Sequence, residues 1–146
     1  MIREIASPDT ALAYRAMREL RGHLGDEQAF VRLVEEVLRP EGYRLLGAFE
    51  SGESDAAAVA GFRTGHNTAW GHFLYVDDLS TVAQARRRGH GRALLEWLSE
   101  EGARLGCEQL HLDSGVGPER VDAHRLYFNS GLRISSHHFA RGLARR

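Results

Sequence analysis

Apolar positions change their spacing several times along the chain, and each change predicts a new element. Leu12, Ala16 and Leu20 recur four residues apart, which is typical of one face of a helix. Leu110 and Leu112 alternate with polar neighbours, which is typical of a half-buried strand. The predicted elements are, in chain order, a strand over 1–6, a helix over 8–24, a helix over 26–39, strands over 43–50, 56–63 and 70–81, a helix over 92–105, a strand over 109–113, a helix over 119–129 and a strand pair over 132–143.

Short-range signals support several of the predicted helix ends. Ser7 followed by Pro8 is typical of a capping residue and a first helical position, Asp26 begins the second helix, and Gly106 ends the third. The order of elements predicts a mixed α/β domain with a parallel crossover through the third helix. We expect a single domain over residues 1–146, since this length suits one hydrophobic core.

The segment from Arg86 to Arg92, just before the third helix, combines a cluster of arginines with Gly89 and Gly91. Glycines let the backbone turn tightly and approach a ligand closely. The first N–H groups of a helix have no partners within the helix, and its dipole makes that end positive. Together with guanidinium groups, such an end is suited to phosphate. The sequence therefore predicts a diphosphate-binding loop here.

Composition and charge exclude several other classes of protein. The chain is 42% hydrophobic and 27% charged, which indicates a globular fold, and its net charge of −1 does not favour nucleic-acid binding. No apolar run approaches the length of a membrane span, and the start of the chain does not resemble a signal peptide. The lone Cys107 excludes an internal disulfide, and we expect no metal site. We expect a cytoplasmic protein.

Two sequence motifs resemble those of a known family. The P-loop is excluded because no Gly-Lys-Ser/Thr triplet follows Gly91, and the dinucleotide fingerprint because Leu94 stands where its third glycine or alanine belongs. The remaining pattern, Arg86-x-x-Gly89-x-Gly91, resembles the coenzyme A signature of the GCN5-related N-acetyltransferases, the GNAT family. The run from His124 to Leu132 resembles this family's second motif, with leucine in place of the final phenylalanine. The run from Arg120 to Tyr127 is similar to the family's aminoalkylphosphonate acetyltransferase-like subgroup, although many family members have asparagine at the position of Arg120.

This resemblance implies the GNAT fold, with a single mixed sheet flanked by helices, for an N-acetyltransferase that uses acetyl-CoA. It further implies direct attack of a primary amine of a small molecule on the thioester, without a covalent enzyme intermediate. Tyr127 is then the general acid that protonates the leaving thiolate. The residues expected to bind the cofactor are Leu79, Ser80, Thr81, Arg86, Arg87, Arg88, Gly89, His90, Gly91, Arg92, Ser114 and Tyr127.

The general base is predicted less directly than the acid. Asp78 precedes the segment that resembles the family's cofactor-pairing strand end, where related enzymes often have a carboxylate, so we predict Asp78 as the base. An alkylamine, with a pKa of about 10.4, must lose a proton before it attacks. The rival candidates for the base are Asp77, His72, His111 and Asp113.

The acceptor amine is not identified by the sequence. The subgroup resemblance favours a small amine with an anionic group, anchored by Arg120 or Arg125. Tyr14, His23, Trp70 and His72 are further candidates for the acceptor pocket. Three other functions stay open: a non-catalytic acetyl-CoA sensor or scaffold, an acetyltransferase acting on a protein or peptide amine, and a nucleic-acid binder that uses the arginine loop and the arginine-rich tail after Phe139. We expect neither nucleic acid nor a membrane as a partner, and a homodimer is left open as the assembly.

Overall fold

Five strands form one sheet in a computed structural model that describes residues 1–144. The strands are β1 (Ile2–Ile5), β2 (Arg44–Ala48), β3 (Ala58–Asn67), β4 (Gly71–Thr81) and β5 (Gln109–Leu112), and they lie side by side in that order. The first four pair antiparallel, whereas β4 and β5 are parallel. The predicted mixed sheet and its parallel crossover are therefore confirmed.

The chain folds into two compact units, one over Met1–Leu112 and one that begins at Asp113. The sheet lies in the first unit, together with α1 (Tyr14–Leu20), α2 (Glu27–Arg32) and α3 (His90–Arg104). The second unit contains α4 (Val121–Asn129), preceded by a short 3-10 turn. A single domain stays a prediction, and Arg145 and Arg146 of the predicted basic tail lie outside the described residues. Within residues 1–144, every helix is too short or too polar to cross a lipid bilayer.

The helical region between β1 and β2 differs in part from the prediction. Asp26 caps α2 as expected, because its carboxylate accepts a hydrogen bond from the N–H of Ala29 at 2.8 Å. The predicted start of the first helix at Ser7 and Pro8 is wrong, since residues 9–13 form a 3-10 turn without a side-chain cap. In that turn the side chain of Thr10 is buried and donates a hydrogen bond to Glu35. This contact ties the turn to the helical segment after α2, and regular α-helix begins only at Tyr14.

Helices cover both faces of the sheet in the first unit. Met17 of α1 and Phe30 of α2 are buried in one cluster with Leu45 of β2. On the opposite face the ring of Trp97 on α3 contacts Phe62 of β3, with 6.1 Å between ring centroids. Successive residues of a strand face opposite sides, so each strand contributes to both layers. Because both faces are buried, a shift of the pairing by one residue would move side chains to the wrong layer. Burial thus fixes how β3 and β4 pair.

The third helix confirms its predicted apolar face. Leu94, Leu95 and Leu98 are buried, as their helical spacing indicated. The helix ends at Arg104, and Gly106 follows with a positive φ of 84°, which is typical of a residue just after a helix C-terminus. A buried, well-terminated α3 holds the loop at its N-terminus in a defined place.

The predicted strand pair over residues 132–143 is wrong, because the structure has no strand between residues 113 and 144. The side chains that suggested the alternation are exposed, at 76% for Ile134, 92% for Phe139 and 82% for Leu143. A strand is stable only when its backbone groups pair with a neighbouring strand. The local apolar pattern therefore indicated a strand, but among the described residues no neighbouring strand pairs with this segment.

An ion-pair network on the α3 face should make stability depend on acid pH. Glu101 is 7% exposed and accepts hydrogen bonds from Arg104, and its carboxylate lies 2.7 Å from Arg44. These arginines lower the pKa of Glu101 from its ordinary 4.5 to about 2. The carboxylate thus stabilises the fold fully above pH 4.5, and this contribution is lost as the pH falls toward 2.

We therefore expect Glu101→Gln to lower the free energy of unfolding at pH 7 by about 2 kcal/mol. The gap between the variant and the parent should narrow as the pH falls from about 5 to about 3. Urea denaturation at several pH values measures both quantities. A gap that stays constant over this range would show that the charge of Glu101 does not contribute.

Candidate active site

The predicted phosphate loop leads directly into α3. Gly89 has a left-handed backbone with a φ of 83° and is the N-cap of the helix, which begins at His90. Among residues 1–144, no side chain caps this end. The first amides of a helix have no carbonyl partners within it, so the N–H groups that follow Gly89 are available to a ligand. The structure therefore confirms that the glycines lie at a helix start.

Gly89 meets two requirements of such a loop. Its positive φ is a conformation that residues with a Cβ rarely adopt. A Cβ placed there would have nothing within 4 Å, so the space next to the backbone is open. Arg87, two residues earlier, also has a positive φ, of 64°, which makes the loop turn sharply twice. These features fit a loop that accommodates a diphosphate group.

Some charged side chains of the loop bind a carboxylate of the protein, and the others are exposed to solvent. Arg88 donates two hydrogen bonds of 2.8 Å to the carboxylate of Glu50, and His90 lies 2.9 Å from the same carboxylate. These contacts lower the pKa of Glu50. Glu50 therefore ties the loop to the end of β2, a role that the sequence did not indicate. Arg86 and Arg87 are exposed and lie on the same loop.

Arg92 contributes less to the loop. It pairs with Glu96 one helical turn later at 3.2 Å, and both side chains are more than half exposed. Exposed pairs of this kind are weak, at about 0.3–0.5 kcal/mol. An anionic ligand could therefore draw Arg92 away from Glu96.

The end of β4 presents a free backbone edge within the first unit. Leu79, Ser80 and Thr81 pair with residues 58–60 of β3. The parallel ladder between β4 and β5 covers only residues 73–76 of β4. From Asp77 onward, β5 therefore does not cover the edge of β4, and an extended ligand could pair with its backbone. Leu79, Ser80 and Thr81 lie on this edge, as the prediction requires of cofactor-binding residues.

Asp78 lies at the start of this edge and is held by two side chains. One oxygen accepts a hydrogen bond from Nε of Arg21 at 3.0 Å, and the other accepts one from the hydroxyl of Tyr43 at 2.7 Å. The Asp78 side chain is 14% exposed. The sequence did not indicate either partner, because they lie 57 and 35 residues from Asp78 along the chain.

Asp77, the neighbouring candidate for the base, is held separately. Nε of Arg63 donates to its carboxylate at 2.8 Å, and Nη2 of Arg21 donates to its backbone oxygen at 3.0 Å. Burial raises the pKa of Asp77, and Arg63 opposes this shift. The two neighbouring carboxylates thus have different cationic partners.

A β-bulge explains why two consecutive aspartates lie side by side. Gly61 of β3 is opposite Asp78 and Phe62 is opposite Val76, so Asp77 has no residue opposite it. Tyr43 packs over Gly61, where a Cβ would overlap its phenol ring. A lone glycine inside a buried strand is a known signal of a bulge or a close approach, and it could have located this feature in the sequence.

The second unit contains Tyr127 and Ser114. Tyr127 lies in α4 and is 9% exposed, and burial raises the pKa of its hydroxyl while Arg120 opposes that shift. The Tyr127 hydroxyl is therefore protonated at neutral pH. Nε of Arg120 also donates to Ser114 at 3.4 Å. Arg120 thus interacts with both of the site residues predicted in this unit.

The three remaining candidates for the base make contacts of a different kind. His72 stacks on His66 with 4.2 Å between ring centroids, and His111 stacks on Trp70 at 3.5 Å. Asp113 lies 3.5 Å from His138. His72 and His111 therefore belong to an aromatic cluster around the turn between β3 and β4, away from the bulge along the strand.

Comparison with known proteins gives one family match and close structural similarity. The model of the acetyltransferase (GNAT) family matches residues 8–131 of this chain. The N-acetyltransferase YhdJ of Bacillus subtilis (strain 168), itself uncharacterized, is 32% identical over 130 residues, which are 88% of each chain.

Two solved structures share the fold over nearly the whole chain. A transcriptional regulator from Bacillus halodurans C-125 has a TM-score of 0.81 at 18% identity, over 98% of this chain and 99% of its own. The aminoglycoside N-acetyltransferase AAC(6')-Iy in complex with CoA has a TM-score of 0.81 at 17% identity, over 99% and 95%. At this level of identity the likeness concerns the fold.

Proposed function

Since the chain belongs to the GNAT family of acetyltransferases and is an N-acetyltransferase, we propose that it transfers an acetyl group from acetyl-CoA directly to the primary amine of a small molecule. The observation that carries this proposal is the left-handed Gly89 at the uncapped start of α3. The free edge of β4 at Leu79–Thr81 supports it, because an extended acyl carrier needs backbone partners next to its phosphate site.

In this proposal the loop residues bind the diphosphate of acetyl-CoA. The amides after Gly89 supply neutral donors, and Arg86, Arg87 and Arg92 supply charge. Arg88 and His90, which Glu50 holds, give the loop its shape. Ser114 is proposed to contact the pantetheine arm, as the family resemblance implies. Acetyl-CoA supplies the activated acetyl group as a thioester.

Two side chains are proposed to move protons. Asp78 takes a proton from the acceptor ammonium, directly or through a water molecule, so that the neutral amine attacks. Tyr127 gives its hydroxyl proton to the thiolate as the carbon–sulfur bond breaks. The raised pKa of Tyr127 supports this assignment because it keeps the proton on the hydroxyl at neutral pH.

A small-molecule acceptor is supported by the solved neighbours, among them the aminoglycoside N-acetyltransferase and a glucosamine-6-phosphate N-acetyltransferase from Arabidopsis thaliana. We extend the proposal to an amine that also carries an anionic group. Arg120 is the better anchor for that group, since Arg125 is exposed and lies 3.7 Å from Asp122.

A thiol-release screen tests the proposed reaction. The protein is incubated with acetyl-CoA and with aminophosphonates, amino sugars, polyamines, amino acids and peptides in turn. Release of free thiol that depends on one class of small amine, together with the acetylated amine in mass spectrometry, is the expected result. Transfer to peptides alone would contradict a small-molecule acceptor, and tight binding of acetyl-CoA without any transfer would favour a sensor.

The cofactor loop itself can be tested by binding. Gly89→Ala adds a Cβ to a residue whose backbone is left-handed. For alanine, holding the loop in this conformation, which CoA binding requires, costs about 1–2 kcal/mol more than for glycine. We expect the affinity for CoA to fall about tenfold, since about 1.4 kcal/mol corresponds to one decade. Isothermal titration calorimetry measures this change. Gly142→Ala, where a Cβ also meets nothing within 4 Å, is the matched control and should bind CoA like the parent.

A further inference from the structure

Asp78 is held on both of its oxygens by residues that lie far from it in the sequence. We propose that Arg21 and Tyr43 are positioning residues that hold the side chain of Asp78 in the orientation needed to remove the acceptor's proton. This inference rests on the proposed function, because it gives Asp78 the role of general base. The evidence consists of contacts within the first unit.

The geometry leaves Asp78 able to act. An ionised carboxylate has about four lone-pair positions on its two oxygens. Nε of Arg21 occupies one on the first oxygen, at 3.0 Å, and the hydroxyl of Tyr43 occupies one on the second, at 2.7 Å. Among the contacts of residues 1–144, these two leave one position on each oxygen for an ammonium or a water molecule. The two donors fix the plane of the carboxylate without filling its capacity to accept a proton.

Arg21 joins the base to the bulge on which it sits. It is the C-cap of α1, and its Nη2 donates to the backbone oxygen of Asp77 at 3.0 Å while its Nε donates to Asp78. The hydroxyl of Ser80 donates to the backbone oxygen of Ala16 at 2.7 Å and ties the same strand to the same helix. The end of α1 therefore sets the position of the aspartate.

The side chain of Tyr43 is buried and held in one position. It is 4% exposed, and the absence of a side chain at Gly61 provides the space for its ring. Burial and the neighbouring carboxylate of Asp78 raise the pKa of Tyr43 well above its ordinary value. The hydroxyl therefore stays protonated over the whole working range of pH and remains a donor to Asp78.

Side chains from three parts of the first unit surround Asp78. Arg21 faces it from α1, Tyr43 from the segment before β2, and Asp77 with its partner Arg63 from the bulge and β3. Because Arg21 and Tyr43 bind different oxygens, the loss of either one leaves the carboxylate fixed at a single oxygen. The base should then be misplaced relative to the acceptor amine, and transfer should be slower.

The test is the steady-state kinetics of the best amine from the screen, measured at saturating acetyl-CoA over a range of pH. We expect Asp78→Asn to lose the acidic limb of the pH profile of kcat/KM. Arg21→Gln should lower kcat by about 10- to 100-fold and leave the KM for acetyl-CoA unchanged, because a misplacement of about 1 Å can cost about 10²-fold. Tyr43→Phe, which keeps the ring, should lower kcat by a smaller factor, since only one neutral donor is lost. Arg21→Lys, which keeps a cationic donor, should recover part of the kcat lost in Arg21→Gln.

A matched control separates positioning from general loss of structure. Arg104→Gln removes an arginine from an ion pair at the far end of α3 and should leave kcat unchanged. A role limited to stability would lower the folded fraction of Arg21→Gln and Tyr43→Phe, and kcat per folded molecule would stay that of the parent. If Arg21→Gln does not fold, Tyr43→Phe and Arg21→Lys still provide the comparison.

The outcomes distinguish this inference from the proposed function. No transfer by the parent to any amine would overturn the function itself. An acidic limb that persists in Asp78→Asn would show that another group is the base, and the inference would fall with that assignment. An acidic limb lost in Asp78→Asn, together with a kcat like that of the parent in Arg21→Gln and Tyr43→Phe, would overturn the positioning roles alone.

Discussion

Tyr127→Phe should lower kcat on the best amine by about 10²- to 10³-fold, since a positioned general acid contributes in that range. The phenylalanine ring retains the buried packing of Tyr127 and removes only the hydroxyl. Because the leaving thiolate then departs without its proton donor, the loss should appear in kcat rather than in the affinity for CoA. Steady-state kinetics at saturating acetyl-CoA measure the effect.

The pH profile gives this prediction a second readout. An acid works only while it holds its proton, so activity should fall as the pH rises through the pKa of Tyr127. Burial raises that pKa above its ordinary 10, and the basic limb of the parent should therefore lie at strongly alkaline pH. Tyr127→Phe should lack this limb. Calorimetry with CoA serves as the control and should show an affinity like that of the parent.

A small change in kcat would contradict the acid role. If Tyr127→Phe turned over within about threefold of the parent at neutral pH, the hydroxyl would contribute less than about 1 kcal/mol to the barrier. Tyr127 would then be a packing residue of α4, and the thiolate would leave unprotonated or take its proton from water.

Local chemistry was sufficient to predict the turn and the helix start at Gly89. A glycine pair before an apolar helical stripe depends on backbone conformation and on the unpaired amides of one helix end, and both are properties of consecutive residues. The left-handed Gly89 and the buried Leu94 and Leu98 follow from that short stretch. The parallel crossover was predictable for the same reason, because a strand, a helix and a strand follow one another along the chain.

The partners of the predicted base needed tertiary structure. Arg21 comes from the end of α1 and Tyr43 from the segment before β2, and nothing in their own neighbourhoods marks them as partners of Asp78. The same holds for Glu50, which meets Arg88 and His90 about 40 residues later. Contacts between distant segments depend on register and packing, which local patterns do not encode. Only Gly61 carried a visible sign that two parts of the chain approach closely at this point.

The false strand pair over residues 132–143 shows the opposite limit. Its alternation of apolar and polar residues satisfied the local criterion for a strand, yet its apolar side chains are exposed. An alternation of apolar and polar residues indicates which side chains would lie on each face of a strand. It does not indicate whether another strand is close enough to pair with it. A local pattern can thus predict the start of a helix more securely than a strand that needs a distant neighbour.

Gly61→Ala should destabilise the protein strongly, by about 3–5 kcal/mol. The new Cβ would overlap the phenol ring of Tyr43, with Cε1 only 2.6 Å away. Tyr43 has little room to move because it is 4% exposed and its hydroxyl is bonded to Asp78. Either the ring leaves the core or the β3–β4 ladder opens at the bulge, and both lose buried contacts. Urea denaturation measures the change, and Gly22→Ala, with nothing within 4 Å of its Cβ, is the matched control.

A double-mutant cycle assigns the effect to the ring of Tyr43. In a Tyr43→Ala background the space above Gly61 is already empty, so Gly61→Ala should cost less than about 1 kcal/mol there, and the coupling between the two sites should exceed about 2 kcal/mol. An equal cost in both backgrounds would show that the strain arises in the backbone of the bulge. A cost no greater than that of Gly22→Ala would show that the bulge has room for a side chain. The close packing of Tyr43 over Gly61 would then not be the reason for a glycine at this position.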